Sequence, residues 1–302
     1  MDSATLWRLS KETVTEWLND NAFRLSAALA YYTLFSMAPL VVVAVAIAGL
    51  VFGEDAVRGQ IFDQLRGLVG DQSASAVQTA VAAASVKSSG ITASVVGVVT
   101  LLVGSSAVFA ELQDALNTIW DAKPPPDASW WFLVRKRLLS LAMVVVMGFL
   151  LLVSLALSAI LYLLGAYLGG ILPVPAFALE AANFVMSFLV TALLFGAIFK
   201  VLPDVPIDWS DVTIGALATA AMFTLGKSAI GAYLGRTVVA SAYGAAGSLI
   251  VLLLWIYYSS LILFLGAEFT QVYARSRGSH AAAAAVSAAA PALAPTRRTA
   301  AR

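Results

Sequence analysis

Residues 26–51 read SAALAYYTLFSMAPLVVVAVAIAGLV, an unbroken stretch without a charged side chain. A bilayer core about 30 Å thick is crossed by about 20 apolar residues, each rising about 1.5 Å in a helix. This stretch is therefore long enough to span. Five further long apolar runs follow it: Ile91 to Ala110, Leu138 to Leu168, Ala178 to Phe199, Ser210 to Leu234 and Ala246 to Phe269. The run from Leu138 is longer than a crossing needs and calls for tilt or an interfacial end. Over all 302 residues, 61% are hydrophobic and 12% charged, against about 45–50% and about 25% in soluble domains. A water-facing globule with six such runs would lack polar faces to cover them. The fold class predicted is all-α: a polytopic membrane protein with six transmembrane helices, an N-terminal amphipathic helix and a helical outer loop.

Three regions follow from this pattern. Residues 1–24 form an amphipathic segment, 25–273 the six-helix transmembrane domain, and 274–302 a tail rich in Ala, Ser, Pro and Arg that is expected to be disordered. Lys and Arg in the connections set the orientation. With the N-terminus inside, the cytoplasmic side holds Arg8, Lys11, Arg24, Lys123, Arg135, Lys136, Arg137, Lys200, Arg275, Arg277, Arg297, Arg298 and Arg302. The outer side holds only Arg58, Arg66, Lys87 and Arg236. Both termini are thus expected in the cytoplasm.

The charged start, with Lys11, Glu12, Glu16 and Asp20 before a full-length span, does not read as a cleavable signal peptide. Leu6, Trp7, Val14, Trp17 and Leu18 recur there at helical spacing, as in a helix lying on a membrane surface. A solvated arm packed on the loops is the alternative. The outer connection from Phe52 to Gly90 carries Ile61, Phe62, Leu65, Leu68 and Val69 at helical spacing and predicts one or two covering helices. The next connection begins as a helix, Glu111 to Trp120, and stops at Pro124, Pro125 and Pro126. Trp130 and Trp131 then serve as interfacial anchors.

Composition also excludes chemistry. A net charge of +1 offers no general pull on nucleic acid, and the absence of cysteine removes disulfides, thiolate metal sites and cysteine nucleophiles. The single histidine, His280, lies in the tail.

In hydrocarbon every charge is costly, so polar groups at depth are the informative ones. Pro39 interrupts the hydrogen bonding of the first span, with Tyr31, Tyr32, Thr33 and Ser36 on the cytoplasmic side of the break. This reads as a kink opening on a polar cavity, or as a structural kink repaired by hydroxyls. Lys227 shares a helix face with Ala220, Thr224 and Gly231 within about 60° at 100° per residue. It is expected to point into the bundle, with snorkelling to the outer headgroups as the alternative. Glu268 ends the last span on the inner side, and Tyr257 lies about 20° away on the same wheel. The two read as lining a pathway. Alternatively, Glu268 makes an inner-rim ion pair with Arg24, Lys200 or the Arg135–Arg137 triplet. The pathway residues expected are Tyr31, Tyr32, Ser36, Pro39, Asn183, Lys227, Tyr257 and Glu268. Gly231, Gly235, Gly244 and Gly247 are expected in helix packing. The glycine-rich stretch before Gly247 lacks a Lys-Ser/Thr ending and is no phosphate loop.

Five stretches, taken together, resemble one family. They are RLSAALAYYTLFSMAP (24–39), ELQDALN (111–117), Leu202-Pro203-Asp204, SAYGAAG (241–247) and GAEFTQVY (266–273). The chain is similar, from about Asp20 to Tyr273, to the YihY/virulence factor BrkB family of bacterial inner-membrane proteins, some of which carry the older label ribonuclease BN. The resemblance implies a six-span protein of the bacterial cytoplasmic membrane. It also implies transport of a lipid or envelope component as an activity to test.

Three functional classes were weighed. A ribonuclease needs clustered acidic or histidine ligands and a basic groove. Only Glu111, Asp114, Asp121 and Asp127 approach the first requirement, with Asn117 on the same cytoplasmic helix. A permease fits a proline-interrupted helix, buried Lys and Glu, and an outer cover. A scaffold fits packed helices without a cavity. The permease is the expected class, not an enzyme, and Lys227→Ala and Glu268→Ala are expected to abolish its function. Its partners are the lipid bilayer and a lipid or small solute; a homo-oligomer is allowed, and neither nucleic acid, a metal nor a cofactor is expected.

Overall fold

The computed structural model describes residues 3–52, 59, 61–63, 65–66, 71–84, 91–122, 138, 142, 176–236 and 247–278. Among these the chain is all-helical and contains no strand. The helices are α1 (Ser3–Asn19), α2 (Ala22–Phe52), α3 (Asp71–Ala84), α4 (Ile91–Ile119), α5 (Ala176–Val201), α6 (Trp209–Arg236) and α7 (Gly247–Arg277). Among the described residues four segments are long and apolar enough to cross a bilayer: Ala22–Val42, Ala181–Val201, Trp209–Ile230 and Gly247–Arg277. The expected second span falls in α4, which is helical from Ile91 onward. The expected third span apart from residues 138 and 142, the proline run, Trp130, Trp131, Asp127, Gly244 and the tail beyond Gly278 lie outside the described residues.

Helix ends are set by local chemistry. Asn21 adopts a left-handed φ of 55° and Asp121 one of 50°, a conformation that Asn and Asp tolerate better than other non-glycine residues. After α4, the Asp121 amide donates to Thr118 O and the Ala122 amide to Asn117 O, the paired bonds of a Schellman ending. After α1, the Asn21 amide donates to Leu18 O at 3.2 Å, and the Asn21 carbonyl then accepts from Arg24 and Leu25 to start α2. The chain thus turns from α1 into α2 through only Asp20 and Asn21. At the start of α6 the Asp208 carbonyl accepts from the amides of Asp211 and Val212, with Asp in a favoured capping position.

α7 is the central helix and packs on α1, α2, α3, α4 and α6. Its tightest neighbour is α6. A β-carbon on Gly215 would meet Thr270 Oγ1 at 1.9 Å, and one on Gly266 would meet Thr219 Oγ1 at 2.0 Å. Each threonine hydroxyl donates at 2.7 Å to the carbonyl four residues back, Thr219 to Gly215 and Thr270 to Gly266. Its polar hydrogen is thereby satisfied inside its own helix, as hydrocarbon requires. The pairing order makes the two helices antiparallel. α2 and α4 also run antiparallel, with Pro39 against Gly104.

One apolar core joins Ala22 and Leu29 of α2, Leu112, Leu116 and Ile119 of α4, Phe195 and Phe199 of α5, Val212 and Ala216 of α6, and Phe264 and Ala267 of α7. A second, at the other end, joins Val41 and Val45 of α2, Phe62, Ala74, Val77 and Val81 of the outer connection, and Leu252 and Ile256 of α7. α3 packs on α2 and α7 but begins at Asp71, after the 61–69 stretch whose spacing predicts a covering helix, of which Leu68 and Val69 lie outside the described residues. Phe35, Phe184, Leu189, Leu193, Leu225 and Leu249 remain exposed on the four apolar helices. Large apolar groups turned outward on every one of these helices fit hydrocarbon as the solvent.

Candidate functional site

The helix order brings the α1–α2 turn, the end of α4, the α5–α6 connection and the end of α7 to one end of the molecule. Glu268, on the last turns of α7, is fully buried there. Its carboxyl group lies within hydrogen-bonding reach of the Asp20 carboxyl, yet neither Glu268 oxygen has a donor among the described residues. Both statements hold because two ionised carboxylates are acceptors only. Glu16 and Asp121 add negative charge to the surroundings and Arg275 adds positive charge. Arg275 is held by others: one nitrogen donates to Gln271 Oε1 at 2.6 Å and another pairs with Glu16 at 3.6 Å. Burial, ahead of the repulsion from Asp121 and Glu16, raises the Asp20 carboxyl above its ordinary range, against the lowering effects of the Glu268 contact and Arg275. Thr13 Oγ1, Trp17 Nε1 and Ser26 Oγ on α1 and α2 are also buried without a partner among the described residues.

Two of the cations expected to pair with Glu268 at the inner rim do not reach it. Arg24 is exposed, and the Lys200 ammonium donates to Ile207 O while standing 5.4 Å from the Trp209 ring centre. The Arg135–Arg137 triplet lies outside the described residues. Among the described residues, the side chain in reach of Glu268 is another acid, delivered by the two-residue turn above it.

A second polar contact joins α4 to the α5–α6 connection. Asp204 accepts from Gln113 Nε2 at 3.1 Å and from Asn117 Nδ2 at 2.7 Å, and its amide donates to Asn117 Oδ1 at 2.8 Å. Asn117 thus acts with Gln113, which sequence reasoning passed over, and both face the Leu202-Pro203-Asp204 corner. Glu111 is half-buried and Asp114 exposed on the same helix. Among the described residues no three His, Cys, Asp or Glu side chains are placed to hold a metal ion.

The remaining expected pathway residues are not brought to one place. Ser36 is buried, and Pro39 and Tyr257 are half-buried. Tyr31 is 58% exposed, Tyr32 is 41% exposed, and both belong to an outward aromatic ladder with Phe35. Asn183 and Lys227 are exposed. For Lys227 the inward orientation is not found, because at that height α6 turns Gly226 toward Tyr258 and Ile262 of α7. Gly247 is buried; among the described residues the close glycine contacts on α6 fall at Gly215 and Gly226, and the packing of Gly231 and Gly235 lies outside what is described. The signal for the seam was a shared spacing, Gly-x-x-x-Thr at 215–219 and again at 266–270. Asp20 carried no signal of its own, since only the turn geometry places it over Glu268.

The family described as virulence factor BrkB matches residues 13–291 of this chain. A UPF0761 membrane protein of Verminephrobacter eiseniae is 30% identical over 87% of this chain and 62% of its own length. A UPF0761 membrane protein of Mannheimia succiniciproducens is 30% identical over 82% of this chain and 83% of its own. One from Rhodospirillum centenum is 26% identical, and the chain spans 56% of its length. No solved structure matches.

Proposed function

The chain belongs to the virulence factor BrkB family of membrane proteins, and from that premise we propose that it is a permease-like transporter of a lipid, envelope component or small solute. In this reading it sits in the bacterial cytoplasmic membrane with six spans and both termini inside. α4 and the Leu138–Leu168 run add two spans to the four apolar helices, and α1 lies along the cytoplasmic surface. The observation that carries it is Glu268, an acidic side chain wholly buried at the end of a membrane-length helix, facing Asp20 and given no hydrogen-bond donor among the described residues. Ionisable groups in such positions are expensive to keep and mark ion or substrate pathways. A merely structural helix would gain stability from an apolar residue there.

The test is a deletion strain compared with its parent for lipid and envelope composition. Wild-type protein is expected to restore any difference, and Glu268→Ala to fail at unchanged membrane levels. Full restoration by Glu268→Ala would remove the basis of this reading. A structural role is the second reading, favoured by the close Gly/Thr seam between α6 and α7. It predicts that seam variants, and not Glu268 variants, abolish complementation.

A further inference from the structure

We propose that Asp20 and Glu268 form a proton-binding site in which the two carboxyl groups share one proton while α1 is docked on α7. The argument begins with hydrogen bonding. Glu268 is fully buried, and neither of its oxygens has a donor among the described residues. A buried carboxylate left without donors or a counter-charge costs several kcal/mol, on the order of the penalty for an uncompensated buried ion. The group within reach is Asp20, and two carboxyl groups bond only when one carries a proton. The proton turns a repulsive contact into an O–H···O bond of the short, charge-assisted kind.

The surroundings point the same way. From α1 comes Glu16, from the α1–α2 turn Asp20, from the end of α4 Asp121, and from α7 itself Arg275. Arg24 of α2 is exposed. α6 presents Gly215 and Thr219 to this stretch of α7, neither of which titrates, and carries the buried acid Asp211 one turn before Gly215. The packing of α3 on α7 belongs to the core at the opposite end. Among the described residues acids thus outnumber the one cation, Arg275, whose guanidinium already serves Gln271 and Glu16. A divalent cation would require three or more converging ligands, and no such group is placed for it among the described residues. A proton needs only two oxygens.

Access is also provided. Asp20 is half-exposed on a two-residue turn, while Glu268 lies beneath it in the helix packing. One carboxyl meets water and the other does not, which is the arrangement of a relay between an aqueous face and a membrane interior. The site itself rests on this geometry; that its proton is the coupling ion rests on the transport reading above. Loss of the proton would set two negative charges against each other between α1 and α7. The Glu16–Arg275 pair and the Leu9–Val272–Tyr273 contact would remain to hold them.

Infrared spectroscopy of the purified full chain in detergent, titrated with pH, reads the site directly. The wild type is expected to keep a protonated-carboxyl carbonyl band at neutral pH, where exposed acids are ionised. Glu268→Gln should abolish it, and Asp20→Asn should retain it but move its disappearance by about one pH unit or more to lower pH. Unchanged circular dichroism and elution volume establish that the variants fold. Absence of the band in the wild type, or its persistence in Glu268→Gln, overturns the proposal. Displacement of the band by sodium or calcium ions in the wild type overturns it in favour of a cation site. If the band behaves as expected while Glu268→Ala complements the deletion strain, the proton site stands and the transport reading falls. A missing band with failed complementation is the reverse case.

Discussion

Thr270 of α7 lies against Gly215 of α6 so closely that a β-carbon on the glycine would stand 1.9 Å from the hydroxyl oxygen and 2.7 Å from Cβ of the threonine. Four residues along, Thr219 meets Gly266 in the same way with the helices exchanged. Such reciprocity lets two backbones approach where lipid supplies no hydrophobic drive between helices, and dispersion contacts must hold them. Gly215→Ala is expected to destabilise the protein by about 1–3 kcal/mol through overpacking. Gly215→Ala combined with Thr270→Ala should recover part of that loss, because the second change removes the clashing atoms. Thermal denaturation of the detergent-purified variants measures both. Additive losses in the double variant would mean that the seam is not the source of the effect.

The sign of the pH dependence at Asp20 follows from its raised carboxyl. A group that binds its proton more tightly in the folded than in the unfolded chain favours folding most where both states are protonated. That contribution is fully present below the ordinary aspartate value of 3.8 and is lost as pH rises through the higher folded value. Asp20→Asn is therefore expected to be more stable than the wild type at neutral pH, with the gain shrinking to nothing below about pH 4. Melting curves of both proteins from pH 4 to 8 test this. A gain independent of pH would point to packing and away from charge.

Asp204 clamps α4 to the α5–α6 corner through three hydrogen bonds with Gln113 and Asn117. Since bonds to a charged acceptor contribute about 1.5–3 kcal/mol when buried and less at a surface, Asp204→Ala should cost about 1–2 kcal/mol. Asn117→Ala should cost less in that background than in the wild type, because the bond from Asn117 Nδ2 is already gone and only the one from the residue-204 amide to Asn117 Oδ1 is left to lose. A double-mutant cycle on melting temperature gives the coupling, and full additivity would dissolve the clamp.

Hydrophobic run lengths made the apolar helices legible, since a stretch such as residues 26–51 has no stable alternative to a buried helix. The sixth run came within one residue of its start at Gly247, but α7 continues to Arg277, past Phe269. Its final turns are covered by α1, through Leu9 against Val272 and Tyr273, a tertiary contact that no window of hydropathy registers. Glu268 was recognisable as an acid at membrane depth, but its partner was not. Partner choice depends on Asn21 entering a left-handed conformation, which swings Asp20 over α7. Lys227 misled for a related reason: a helical wheel gives angles around one axis and says nothing about where the neighbouring helix lies. The Gly215/Thr270 seam was readable in principle, because the same five-residue spacing occurs in both helices.

α1 offers the last test. Its inner face carries Leu9 and Thr13, both buried, whereas Trp7, Val14 and Leu18 are 74%, 46% and 53% exposed. With Lys11 these exposed residues fall on one stripe of about 60° at 100° per residue, directed away from α7. An apolar stripe with one lysine and a tryptophan, leading within two residues into an apolar helix, is suited to the headgroup boundary of a bilayer. The chain contains no cysteine, so a single introduced thiol gives a unique probe site. A polarity-sensitive dye at Trp7→Cys should report an apolar setting in vesicles. The same dye at Asn19→Cys, about 120° around the helix from position 7, should report water. The contrast should disappear when Val14 and Leu18 are replaced by Glu, since carrying two charges into the boundary removes the reason to lie there. A watery reading at position 7 in the unaltered stripe would leave α1 as a solvated arm held by α7 alone.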